Sequence, residues 1–174
     1  MKLTESKTVY RGIIVDVKID KIAMPDGTVL RREVVVQRDA AAILPVLDNG
    51  DILLVRQYRH PVGGMALEIP AGFLEDGETP LECASREMEE EIGKFAKSVQ
   101  FLFAVHGIIG ISTHKTDIFL AKDFVESKQK LDEDEFLTIE SYTLQDCLKM
   151  IKSGEITSAT TVAALLAYAG NLLI

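Results

Sequence analysis

From residue 9 to residue 37 apolar and polar side chains alternate with a period of two, and Pro25-Asp26-Gly27 interrupts the alternation with a turn signal. Two further apolar runs, "AAAILPVL" and "DILLVRQYR", flank Asp48-Asn49-Gly50 and predict a second hairpin. The next stretch, "HPVGGMALEIPAGFLEDGE", is punctuated by Gly and Pro and reads as loop with a short strand at Ala66–Ile69. The period then lengthens. Thr79 supplies an N-cap, Pro80 the first helical position, Glu82 the far half of a capping box and Gly93 the stop, so a helix runs between them. Strands follow near Val99–Val105 and Thr116–Leu120. The acidic loop "LDEDE" then leads to a strand near Phe136–Tyr142, and helices near Leu144–Lys152 and Ser158–Leu172 close the chain. With no repeat, low-complexity tract or interdomain linker, the pattern predicts one α+β domain with a mixed sheet and helices on its faces.

On a helical wheel of about 100° per residue, Leu81, Ala84, Met88 and Ile92 form the core stripe of the helix after Thr79. Glu87, Glu90 and Glu91 gather on a second side, while Glu82, Ser85 and Glu89 take the solvent side. Like charges at this spacing repel by about 0.2–0.5 kcal/mol per pair. The convergence is either a solvated acidic face or a site for a hard divalent cation, and spacing alone does not separate the two.

Composition narrows the classes. The chain has 174 residues, a net charge of -8 and 47% hydrophobic residues, enough to bury one core. The acidic balance argues against a sequence-independent grip on nucleic acid, which needs a basic face. It leaves room for a phosphate-bearing small molecule bridged by a divalent cation. Cys83 and Cys147 sit in apolar helical patterns, against a disulfide framework or zinc site and in keeping with a reducing compartment. The N-terminus has no apolar leader. The C-terminal run "ATTVAALLAYAGNLLI" is too short and interrupted for a membrane span, so a cytoplasmic protein without membrane contact is expected.

The decisive pattern extends upstream of the glutamates. Gly72, five residues, Glu78, seven residues and "REMEEEIGK" match the Nudix signature GX5EX7REUXEEXGU at every fixed position, with Lys94 in place of the last aliphatic residue. The chain resembles a Nudix hydrolase. The stretches "RREVVVQRDAAAILPV", "ILLVRQYRHP", "LEIPAGFLEDGE", "LDEDEF" and "LKMIKSGEITSATTVAALLAY" resemble the ADP-ribose pyrophosphatase branch and cover nearly the whole chain.

The resemblance implies a Nudix-type α/β/α sandwich over residues 39–174, preceded by an N-terminal antiparallel strand region, residues 1–38, that pairs with a second subunit in a homodimer. It implies metal-dependent hydrolysis of a nucleoside diphosphate-linked small molecule, foremost ADP-ribose or a related ADP-sugar, to AMP and a sugar phosphate. Glu87, Glu91, Glu90 and the carbonyl of Ala71 would hold Mg2+, with Mn2+ as the other metal. Glu78 and Arg86 would tie loop to helix. Arg32 and Arg59 match substrate-holding positions. Glu133 and Glu135 stand where the branch often places its general base, and Glu90 is the alternative base. One departure is the segment "VHGIIGISTHKTD", with Ile109 at a common proline position and His114 at a common acidic one. Another nucleotide sugar, a dinucleotide or a non-catalytic nucleotide sensor are the remaining functions.

Overall fold

A computed structural model describes residues 1–131 and 136–171. The chain divides into two compact units: Met1–Asp39 with His106–Lys115, and Ala40–Val105 with the residues from Thr116 onward.

The first unit is an antiparallel sheet in the order β1 (Lys2–Arg11), β2 (Val15–Ala23), β3 (Val29–Gln37). The turn at Pro25–Gly27 forms as predicted, with Gly27 at φ 86° and the Thr28 amide donating to Asp26 Oδ1 at 2.9 Å. Strand β1 has no counterpart in the hydropathy pattern. Its residues, "KLTESKTVYR", are exposed at all but one position, so neither face carries an apolar stripe; backbone pairing to β2 makes it a strand. The segment Gly107–Lys115 packs along β3. The Val35 amide donates to the Ile111 carbonyl at 2.7 Å, and the Thr113 amide returns a bond to the Val35 carbonyl at 3.0 Å.

The second unit holds two sheets. One, in the order β7 (Ala71–Phe73), β4 (Ala40–Pro45), β9 (Thr116–Glu126), β8 (Lys94–Val105), is mixed, because β4 and β9 run parallel. The other, in the order β10 (Leu137–Tyr142), β5 (Ile52–Arg59), β6 (Gly64–Glu68), is antiparallel. The second predicted hairpin is therefore corrected. Its turn closes, with Gly50 at φ 87° and one bridge from Val46 to Ile52, but β4 and β5 then part into different sheets.

Both faces of these strands are covered, which is why β4 and β5 read as continuous apolar runs rather than alternating ones. Ala41, Ile43, Leu53, Val55, Phe119 and Ala121 pack against Ala84, Met88 and Ile92 of helix α1 (Pro80–Ile92). Ala42, Leu44, Ile52, Leu54, Ile118 and Leu120 pack on the other side, with Cys147 of helix α2 (Leu144–Ser153) and Ala164 and Leu165 of helix α3 (Ala159–Ala169). Helices on both sides of the strands make the α/β/α arrangement. Helix α1 keeps its capping box and its left-handed Gly93 stop. Leu81 departs from the wheel: it lies in the first turn and is 47% exposed, while Cys83 of the same turn is fully buried.

Candidate active site

The site begins as a short backbone platform. Strand β7 pairs with Ala40–Ala42 of β4, the Ile43 amide donates to the Pro70 carbonyl at 3.0 Å, and the Ile69 amide donates to the buried Thr161 Oγ1 at 3.0 Å. Residues 69–73 are thus pinned from the sheet and from α3. At Gly72 a Cβ would lie 1.8 Å from Glu87 Oε1 and 2.1 Å from its Cδ. The carboxylate of Glu87 rests directly on this backbone, and only glycine leaves it room.

Helix α1 supplies the charge. Glu87 and Glu91 are buried and Glu90 half-buried, which matches the side of the wheel on which they gather. Glu82 is spent in the capping box, and Glu89, read from the wheel as a solvent charge, accepts a bond from the Ser127 hydroxyl. Arg86 binds Glu78 through Nε (2.8 Å) and Nη2 (3.0 Å), Glu87 through Nη1 (2.7 Å), Glu90 through Nη1 (2.9 Å) and the Phe73 carbonyl through Nη2 (3.2 Å). This fork ties the loop before the helix to the acidic face. It holds the Glu78 carboxyl below its ordinary value, chiefly by hydrogen bonding, and raises the already high pKa of the guanidinium. Cys83 sits beneath, donating to the Gly72 carbonyl at 3.5 Å, its thiol pushed up to about 12 by burial and then by Glu78 and Glu87; it packs rather than attacks.

The donors suit a hard cation. Glu87, Glu90 and Glu91 offer oxygen only, and burying ionised carboxylates is costly unless cations compensate. Arg86 offsets part of this charge, being one guanidinium against Glu78, Glu87 and Glu90, while Glu91 is 1% exposed. Among the described residues no three acidic, histidine or cysteine side chains stand together as a ready metal cage. These oxygen donors suit a hard divalent cation that takes one or two carboxylates and completes its shell from carbonyls, water and substrate phosphates.

The remaining predicted residues fall in both units. Arg59, at the end of β5, donates from Nε to Glu68 Oε2 at 2.7 Å. Arg32 lies on β3 of the first unit, where it lines a cleft of about 460 Å³ with Ile19, Arg31, Glu33, Gly110 and Ile111. Glu133 and Glu135 lie outside the described residues. In the segment that departs from the family pattern, His114 donates from Nδ1 to the Arg38 carbonyl at 2.7 Å and His106 donates from Nδ1 to the His114 carbonyl at 3.2 Å. These imidazoles fasten the segment within its own unit.

Sequence reasoning missed Gln129, which donates to the Glu91 carbonyl at 2.6 Å near the end of α1, and Glu68. Gln129 left no signal, since it lies in a polar stretch with no period. Glu68 left one: a charge between Leu67 and Ile69, both buried.

The NUDIX domain model matches residues 36–165. ADP-ribose pyrophosphatase of Bacillus subtilis (strain 168) is 38% identical over 172 residues, covering 95% of this chain and 93% of that protein. The methanol dehydrogenase activator of Bacillus methanolicus is 34% identical, covering 94% and 92%. ADP-ribose pyrophosphatase of Mycobacterium tuberculosis (strain ATCC 25618 / H37Rv) is 34% identical, covering 93% and 80%. In fold, the chain is similar to a crystal structure of an ADP compounds hydrolase, with a TM-score of 0.89 at 24% identity over 98% of this chain and 93% of that one. With the signature Gly72–Gly93 folded as a glycine platform under an acidic helix and the family model spanning most of its length, the chain belongs to the NUDIX family.

Proposed function

We propose that this protein is a Nudix pyrophosphohydrolase that cleaves ADP-ribose or a related ADP-sugar to AMP and a sugar phosphate. The observation that carries the reading is the seating of Glu87 on Gly72, beside Glu90 and Glu91, within a complete signature; a nucleotide-sensing module without catalysis has no need to retain all of these acids. Relatives named for ADP-ribose support the substrate class.

Mg2+ is the proposed metal, held by Glu87, Glu91, Glu90 and the Ala71 carbonyl. When bound, it neutralises the diphosphate and lowers the pKa of a water. The protein's own part is to hold these carboxylates in place, through the Arg86 fork on one side and the glycine platform on the other. Arg59 and Arg32 would meet the anionic and polar parts of the substrate. A glutamate of the acidic loop, Glu133 or Glu135, would take the proton of the attacking water, and Glu90 is the alternative.

The protein is further proposed to act in the cytoplasm as a homodimer, residues 1–38 forming the dimerising region. Two free, buried cysteines accord with a reducing compartment. Leu3, Val9, Tyr10, Ile13, Ile14 and Val29 expose large apolar surface on the first unit, of the kind a partner subunit covers. Light scattering tests the dimer; a monomer of 19.2 kDa would refute it.

The test of function is a panel of nucleotide sugars and dinucleotides with Mg2+ or Mn2+, products resolved by chromatography. AMP and ribose phosphate from ADP-ribose are expected. Turnover confined to a dinucleotide or a non-adenosine sugar would displace the reading.

A further inference from the structure

Three arginines of the second unit are ion-paired, and they spend their donors differently. Arg56 is held side-on through two nitrogens: Nε and Nη2 bind the two oxygens of Glu140 at 2.7 and 3.0 Å, and Nη2 also reaches Glu155 at 3.0 Å. Arg86 is saturated, by Glu78, Glu87, Glu90 and the Phe73 carbonyl. Arg59 is not. Its Nε donates to Glu68, and among the described residues neither Nη1 nor Nη2 has an acceptor. Its side chain is 44% exposed, whereas that of Glu68 is 17% exposed.

A guanidinium fastened through Nε turns its two amino groups outward, in the planar fork that matches a pair of phosphate oxygens. Fastening it in advance removes rotamer freedom that a free arginine loses only on binding. Glu68 is well placed to do the fastening. It sits at the end of β6 between buried Leu67 and Ile69, three residues before Ala71 of the platform, so the tether directly adjoins the pinned segment that carries the glycine under Glu87.

We propose that Glu68 is a positioning residue that presents the amino groups of Arg59 to a phosphate of the substrate. The proposal rests on the reading of Arg59 as a substrate contact. Glu68 acts on ground-state and transition-state binding alike, so its loss acts on KM more than on kcat.

The test compares E68A, E68Q, R59A and the double variant E68A/R59A in the full chain, with ADP-ribose and Mg2+. E68A is expected to raise KM about tenfold with kcat within about twofold of wild type. E68Q should recover most of the loss, because its amide oxygen still accepts from Nε. Adding E68A to R59A should raise KM no further, and the Mg2+ concentration at half-maximal rate should stay that of wild type. Circular dichroism checks the fold, and E68Q decides the matter if E68A does not fold. R59A raising KM while E68A and E68Q leave it unchanged would overturn the tether and spare the substrate reading. An altered Mg2+ requirement in E68A or E68Q would overturn it in favour of a metal role. An unchanged KM in R59A would overturn both the tether and the reading of Arg59, and wild type inert on every ADP-sugar would overturn the functional reading itself.

Discussion

The carboxylate of Glu87 occupies the space where a side chain at Gly72 would begin, 1.8 Å from the position of a Cβ there. Two residues fifteen positions apart in sequence therefore form one surface, and each restricts the other. The clash falls on the far end of a flexible side chain, so Gly72→Ala should fold while Glu87 is displaced. Displacement of a reacting group by about 1 Å costs around a hundredfold in rate. We expect Gly72→Ala to keep its circular dichroism spectrum and lose about that much activity. A wild-type rate would show that Glu87 works elsewhere.

Glu87→Gln and Glu91→Gln keep side-chain volume and remove charge. Each is expected to lower the rate by at least about a hundredfold in a folded protein, because a charged ligand to the metal is lost. Excess chelator should abolish turnover and added Mg2+ restore it. Full activity in chelator would defeat the metal reading outright.

The acidic loop carries the proposed base. Carboxylates engaged as metal ligands are poor proton acceptors, since the cation lowers their pKa. Glu133→Gln or Glu135→Gln should therefore cut kcat by about 10²–10⁴, with KM nearly unchanged. If both variants keep a near-normal kcat, the role passes to Glu90.

Acid stability should follow two arginine forks. The carboxyls of Glu78, beside Arg86, and Glu140, beside Arg56, lie below their ordinary value of 4.5, mainly through hydrogen bonds to those arginines. A carboxyl whose folded pKa is depressed contributes stability that is complete above its unfolded value and lost as pH falls through the folded one. Tm should thus decline from about pH 4.5 downward, and Glu78→Gln and Glu140→Gln should each flatten that decline. Melting curves at stepped pH check this; slopes equal to wild type in both variants would show that the forks contribute nothing to acid sensitivity.

The limits, caps and acidic side of helix α1 were readable from sequence, because their signals are local. Thr79 caps Glu82 and Glu82 caps Thr79 within one turn, Gly93 is left-handed because the stop requires it, and Glu87, Glu90 and Glu91 fall on one side by the period of the helix alone. The turns at Gly27 and Gly50 were readable for the same reason. So was the family, since its signature is a spacing within one contiguous stretch. The chain's own order of residues determined these.

Tertiary structure decided what depends on partners distant in sequence. Strand β4 leaves its apparent hairpin partner because parallel pairing with β9, from Ala40 opposite Thr116 onward, puts its two faces against α1 and against α2 and α3, and a turn motif carries no information about that choice. Strand β1 exists only through pairing with β2. Leu81 is apolar yet 47% exposed, while Cys83 in the same turn is fully buried against the Gly72 carbonyl. Arg56 and Arg59, three residues apart on one strand, look alike in sequence; among the described residues the first is gripped through Nε and Nη2 by Glu140 and Glu155, and the second through Nε by Glu68. Local sequence sets propensity and spacing over a few residues, whereas the choice among distant carboxylates and strands is made by burial in the assembled core.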